Sequence, residues 1–115
     1  DVDGSARRPN RHSGVAVLWG PEGNRIGGST SGEGNLISGN GNMGVSLDGT
    51  GVANNTVVGN LIGTDIGGTA PLSNDTNGIW IVRGAQHNQI GGSSQAERNV
   101  ISGNGHCGIS VEGAR

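Results

Sequence analysis

The chain has 115 residues, enough for one domain, and a net charge of −2 with seven scattered basic residues, all Arg, which excludes the dense positive footprint that nucleic acid requires. Only 30% is hydrophobic, and the aromatic residues are Trp19 and Trp80 alone, too little for a conventional globular core. With 25 Gly, such a composition belongs to a disordered chain or to a solenoid, and internal repetition decides between them.

The opening "DVDGSARRPN" lacks an initial Met and reads as the middle of something. No apolar run is long enough to span a bilayer, so no membrane insertion is expected, and no signal peptide is visible. The first recurring element begins at Asn10: Asn, three residues, Gly, then Val or Ile. It returns as Asn40–Gly44, Asn74–Gly78 and Asn104–Gly108, at steps of 30, 34 and 30 residues, with its glycines at Gly14, Gly44, Gly78 and Gly108. After each Gly, β-branched or aliphatic residues alternate: Val15/Val17, Val45/Leu47, Ile79/Ile81 and Ile109/Val111. That alternation predicts four short strands, each with one buried face.

Two further sets of apolar beads follow within each unit. "NRI" at Asn24, "NTV" at Asn55 and "NQI" at Asn88 form one set; "NLI" at Asn35, "NLI" at Asn60 and "NVI" at Asn99 form the other. One unit is therefore three short strands joined by Gly/Asn turns. A longer period encloses these units: shifted by 64 residues, Asp1–Gly51 aligns without a gap on Asp65–Arg115, and about two-fifths of the pairs are identical. Only Val52–Thr64 has no second copy.

Three short strands per turn, stacked about 4.8 Å apart, predict an all-β parallel β-helix. It has about three and a half coils of 30–34 residues in one segment, 1–115. The coils run over 14–43, 44–77 and 78–107, with partial coils at 1–13 and 108–115. One coil cannot bury its inward residues alone; stacked coils make a continuous apolar column. Asn and Gly at the corners suit the left-handed backbone of a sharp turn. Stacked Asn side chains can form hydrogen-bonded ladders, here at Asn10, Asn40, Asn74 and Asn104 and at Asn35, Asn60 and Asn99.

At these residues the sequence resembles the right-handed parallel β-helix repeats of the pectin-lyase-like superfamily. More closely, it is similar to long bacterial surface or secreted proteins built from "NxIGG…NVISGN…GIxI…NxVxGNxIGTDxxGTxxLxN" units. That pattern reads here as Asn88–Gly92, Asn99–Asn104, Gly78–Ile81 and Asn55–Asp65, followed by Gly68, Thr69, Leu72 and Asn74. The resemblance and the right-handed crossover rule imply the handedness. The resemblance alone implies an extracellular or cell-surface location. It is specific for fold and poor for function, because the superfamily spans lyases, hydrolases, epimerases, adhesins and inert stalks.

The residues offer little chemistry. Lyases of the superfamily use a basic catalytic residue and calcium held by clustered Asp; polygalacturonase-like members use three Asp on one face. This chain has no Lys, and Asp1, Asp3, Asp48, Asp65 and Asp75 are spread along the repeat. Asp1 and Asp65 read as corner residues. Alternation points Ser46, Asp48, Ser110 and Glu112 outward, so Asp48 and Glu112 share a row two coils apart with Val82 between them. At about 9–10 Å this approaches the spacing of inverting glycosidase carboxylates, but the intervening Val favours a solvated pair.

No metal is expected. His12 and His106 lie three coils, about 14 Å, apart, too far to share zinc, with Asn42 and Thr76 between them. "DVDG" lacks the rest of a calcium loop. Cys107, the only cysteine, trades with Met43 in the repeat and reads as a packed or half-packed apolar residue, with no His or Asp partner assigned by the repeat. "GGSTSGEG" and "GGSSQAER" lack the end of a phosphate-binding loop and open no helix. The sequons at Asn54 and Asn74 matter only in a glycosylating secretory pathway.

Trp80 points outward between Ile79 and Ile81, where the repeat carries Ala16, and such a residue can stack on a sugar ring or pack on a neighbour. Trp19 aligns with Arg83 and is expected under a turn. The expectation is thus a non-catalytic structural module with no cofactor, stacking end to end or continuing in a longer repeat protein. The alternative is polysaccharide binding or processing at Trp80, Asp48 and Glu112. Ice binding would want a flat Thr array, and the outward row Ala16, Ser46, Trp80, Ser110 is irregular.

Overall fold

The computed structural model describes residues 3–113; Asp1 and the first half of "DVDG" lie outside the described residues. Ten short strands build a parallel β-solenoid of about three turns: β1 (Val15–Leu18), β2 (Arg25–Gly27), β3 (Leu36–Ile37), β4 (Val45–Asp48), β5 (Thr56–Val58), β6 (Leu61–Ile62), β7 (Ile79–Val82), β8 (Gln89–Ile90), β9 (Val100–Ile101) and β10 (Ile109–Glu112). They stack into three parallel sheets, ordered β1-β4-β7-β10, β2-β5-β8 and β3-β6-β9. Every third strand returns to the same wall, so each turn contributes one strand to each sheet.

The register follows the repeat. Val15, Val45, Ile79 and Ile109 stack in one column, and Val17, Leu47, Ile81 and Val111 in the next. With Ile26, Val57, Ile37 and Ile62, the inward residues of β1, β4 and β7 form one apolar core running along the axis. In the central coil Val45, Leu47, Val57 and Ile62 are wholly buried. At about 25 cal/mol per Å2 of apolar surface, each such side chain contributes roughly 1.5–3 kcal/mol.

Asparagine ladders hold all three corners, one more than the sequence singled out. Asn24 donates its Nδ2 hydrogen to Asn55 Oδ1 at 3.0 Å, and Asn55 does the same to Asn88 at 3.0 Å. Asn35, Asn60 and Asn99 repeat this at 3.1 and 3.2 Å, and Asn40, Asn74 and Asn104 at 2.9 Å per step. Asn10 joins the third column through its main-chain N–H, 3.4 Å from Asn40 Oδ1. These buried amides are satisfied on both sides, which is what allows Asn55, Asn60 and Asn74 to sit at 0% exposure without a desolvation cost.

The corner backbone corrects one expectation. Neither the ladder asparagines nor Gly14, Gly44, Gly78 and Gly108 are left-handed. At six of the ladder positions the left-handed residue is instead the one just before the Asn: Gly23, Gly39, Asn54 (φ 55), Gly59 (φ 73), His87 (φ 53) and Gly103. The chain turns there, and the next residue locks the turn to the coils above and below. Gly44 is needed for space: a Cβ would stand 2.6 Å from the Gly78 carbonyl oxygen and 2.7 Å from Ile62 Cγ2.

Between β6 and β7 a loop leaves the coils. Thr64 and Pro71 form an antiparallel bridge closing a small projection, in which Asp65 Oδ1 accepts from the Thr69 and Ala70 amides at 2.9 and 3.1 Å. These bonds hold the Asp65 carboxyl below its usual range, the behaviour of a turn residue. The N-terminal stretch is tied down by Arg7, whose guanidinium donates to the Gly39 carbonyl at 2.7 Å and pairs with Asp75 at 2.5 Å.

Candidate functional site

The four-stranded sheet carries the only convergent group of aromatic and charged side chains among the described residues. Register places Leu18, Asp48, Val82 and Glu112 in one row and Ala16, Ser46, Trp80 and Ser110 in the neighbouring one. Asp48 and Glu112 are therefore two coils apart across Val82, as alternation requires. They are not a solvated pair. Asp48 is 5% exposed and Ser46 4%, although both belong to the outward rows.

Arg83 provides part of the cover. Its guanidinium forms a bidentate pair with Asp48, Nε to Oδ1 at 2.8 Å and a second nitrogen to Oδ2. The same guanidinium lies 5.5 Å from the ring centroid of Trp19 and 5.6 Å from that of Trp80, within cation–π range of both. Trp19 reaches it because Gly49 stands between them in the turn column: a Cβ there would sit 2.7 Å from the indole. Trp19 and Arg83, equivalent in the 64-residue repeat, are both left-handed, at φ 57 and 54, a conformation unusual for large side chains. Trp19 is 66% exposed, not tucked under the turn.

At the far edge Glu112 accepts a hydrogen bond from the Ser110 hydroxyl at 2.7 Å. That bond, and a second from the Trp80 side chain, hold its carboxyl below the usual glutamate range. The sequence-derived residues Trp80, Asp48 and Glu112 thus fall in one neighbourhood. The residues that knit it together, Arg83 and Trp19, were missed. Their exact 64-residue spacing was visible in the sequence; their meeting across Gly49 was not.

The remaining candidates resolve in other ways. Cys107 is half-buried, and its Sγ lies 3.4 Å from His106 Nδ1, a neighbour the repeat did not assign. The same Nδ1 is 3.2 Å from Asn77 Oδ1, which only accepts. The thiol and the amide oxygen thus share one ring nitrogen, whose role as donor or acceptor depends on the tautomer. No group of three metal-ligating side chains occurs among the described residues. The "GGSTSGEG" and "GGSSQAER" loops do gather main-chain N–H groups, but around the chain's own carboxylates. Glu33 Oε2 accepts from Ser29 and Thr30 at 2.9 and 3.0 Å, and Glu97 Oε2 from Ser93 and Ser94 at 3.0 and 3.1 Å. The second loop contains one 3-10 turn, Gln95–Glu97, closed by a Ser94–Glu97 capping box, where no helix was expected. Of the two sequon asparagines, Asn74 is buried in its ladder and Asn54 is exposed at a corner. No helix of the described residues is long and apolar enough to cross a membrane.

No family model, curated protein or solved structure matches this chain. What stands is the architecture: a parallel β-solenoid of about three turns, with the tier of Trp19, Asp48, Trp80, Arg83 and Glu112 on one outer wall.

Proposed function

We propose that the chain is a non-catalytic structural module, a section of an extracellular β-solenoid stalk, adhesin or filament that stacks end to end or continues into further coils. One observation carries this reading. Ile109 and Val111 occupy core columns, yet they are 46% and 62% exposed, whereas Val45 and Leu47 in the same columns are 0% exposed. Uncovered core columns and unpaired strand edges are a template for more coils. The likeness to right-handed pectin-lyase-like repeats of bacterial surface proteins supports the location. Light scattering and electron microscopy of the concentrated chain test it, with Val111→Asp as the control. Concentration-dependent association that the substitution abolishes is the expected result. A well-folded strict monomer, gaining no stability when a further 64-residue repeat is added, overturns it.

A second reading is carbohydrate binding on the outer wall, favoured by the 66% exposure of Trp19 beside Arg83 and Trp80. Aromatic faces stack on sugar rings. Because Arg83 is neutralised by Asp48, the tier keeps only the negative charge of Glu112, which favours neutral glycans over polyuronates. A glycan array with wild type, Trp19→Ala and Trp80→Ala decides it. Saturable binding to a neutral glycan, weakened by both substitutions, is expected; no binding, or binding that both variants retain, sinks it.

A further inference from the structure

The outer face of the β3-β6-β9 sheet carries a groove that neither the core nor the tryptophan tier uses. It follows from an irregularity of the repeat. Between their second and third strands the first and third coils insert the loops 28–34 and 92–98, whereas the second coil passes from Val58 to Asn60 through Gly59 alone. The two loops are therefore ridges two layers, about 9–10 Å, apart, with a recess one coil high between them. Gly59 forms its back: a Cβ there would stand 2.6 Å from the Gly28 carbonyl oxygen and 2.8 Å from that of Ala96, so the position takes no side chain.

The walls are pre-formed. Glu33 and Glu97 are turned back into their ridges, each accepting two main-chain N–H groups of its own loop, and the Gly59 N–H donates to the Glu97 carbonyl at 3.1 Å. Opposite the ridges stands the projection after β6. Its Ile66 N–H donates to the Gly4 carbonyl at 3.0 Å, and its Ile66 side chain is 62% exposed. The floor is Leu36 and Leu61, the outward, half-buried residues of β3 and β6. Together these elements enclose about 580 Å3, within the range of small-molecule sites.

The lining decides what suits the groove. It contains no aromatic side chain, so a sugar ring finds no platform, and its apolar surface is aliphatic. Its cation is Arg98, which is exposed and, among the described residues, in no ion pair. The negative charges of Glu33 and Glu97 are compensated on the ridges themselves, by main-chain hydrogen bonds led by those of Thr30 and Ser94 and by Arg25. Asp65, beside Ile66, is likewise occupied by the Thr69 and Ala70 amides. We infer that the groove binds a small aliphatic carboxylate, its chain over Leu36 and Leu61 against Ile66 and its anionic end at Arg98. The hydroxyls of Thr30 and Ser31 and the amide of Gln95 stand among the lining to hydrogen-bond the carboxylate. This binding is independent of whether the chain builds a stalk or filament.

The test is an amide NMR titration of the whole chain with hexanoate, hexanol, hexylammonium and N-acetyl-leucine. Hexanoate is expected to shift the amides of 30–36, 59–61, 66 and 95–98 saturably, with a dissociation constant of about 1 mM. Hexanol should bind about fivefold more weakly, and hexylammonium should leave these amides unmoved. Arg98→Gln should weaken hexanoate about fivefold and leave hexanol unchanged, whereas Ile66→Ser should weaken both. Both side chains are exposed, so the variants keep the fold, which the unshifted amides of the core strands check. No saturable shifts at these positions, equal shifts by all three hexyl compounds, or hexanoate binding that Arg98→Gln leaves intact overturns the site. N-acetyl-leucine separates two sources of the same chemistry. Tighter binding than hexanoate assigns the carboxylate to the end of a peptide, and weaker binding assigns it to a free acid.

Discussion

Strands β4 and β10 are two copies of one element, "VSLD" and "ISVE", 64 residues apart. All four residues of β4 are buried; in β10 only Ser110 is even half-buried. The residue types do not explain this, since Val45 and Ile109, or Leu47 and Val111, are equally apolar. The neighbours do. β4 lies between β1 and β7 and belongs to a coil closed by β5 and β6, whereas β10 pairs with β7 alone and no described strand completes its coil. β1, also an edge strand, shows which condition matters more: its coil is closed by β2 and β3, and Val17 is only 8% exposed. Completing the coil covers an inward residue more than adding a second strand neighbour does.

That contrast sets the sizes of mutational effects. Leu47→Ala should destabilise the chain most, by about 3 kcal/mol, as a cavity in a closed core. Val111→Ala should stay within about 0.5 kcal/mol in this chain; chemical denaturation of both variants checks the difference. Next comes Asn60→Ala, which strands the donors of Asn35 and removes a 0% exposed amide. It should cost about 2–3 kcal/mol, against about 1 for Asn99→Ala at the ladder's end. A third comparison is Asp48 with its copy Glu112. Asp48→Asn disturbs a buried bidentate pair with the half-exposed Arg83 and should cost about 1–2 kcal/mol after allowance for that exposure. Glu112→Gln should leave the melting temperature unchanged.

The smallest effect concerns Glu33 and Glu97, copies within the two bulging loops. Hydrogen bonds from Thr30 and Ser29 lower the carboxyl of Glu33, and those from Ser94 and Ser93 lower that of Glu97. A folded-state value below the unfolded 4.5 means the unfolded chain binds more protons in between. Their stabilisation is therefore complete above the unfolded value and lost as pH falls through the folded ones. Thermal melts below pH 5 should show a shallow acid slope that Glu33→Gln with Glu97→Gln flattens. An unchanged slope would assign it to other carboxylates, Asp65 first.

Much of the fold was legible because a solenoid writes its structure locally. The Asn-x-x-x-Gly step, the alternating Val/Ile and the 64-residue period located every wall, and the structure follows them in register. The candidate site was legible only in part. Trp80, Asp48 and Glu112 stood out as outward or charged positions. Alternation gives direction but not cover, so the burial of Asp48 under Arg83 was missed. Trp19 was misplaced for a similar reason: its repeat partner Arg83 suggested an ordinary turn, and nothing local announces that two left-handed residues meet across Gly49.

The sequence by itself determined the coil: where the chain turns, which residues face the core, and that asparagines stack at the corners. Its short period makes each of these a contact between neighbouring copies of the same pattern. Tertiary structure alone decided which copy of a repeated residue is buried, which way the ladders donate and which side chains meet on the outer wall. Those depend on how many coils surround a position and on side chains brought together from different coils, neither of which is encoded within one repeat.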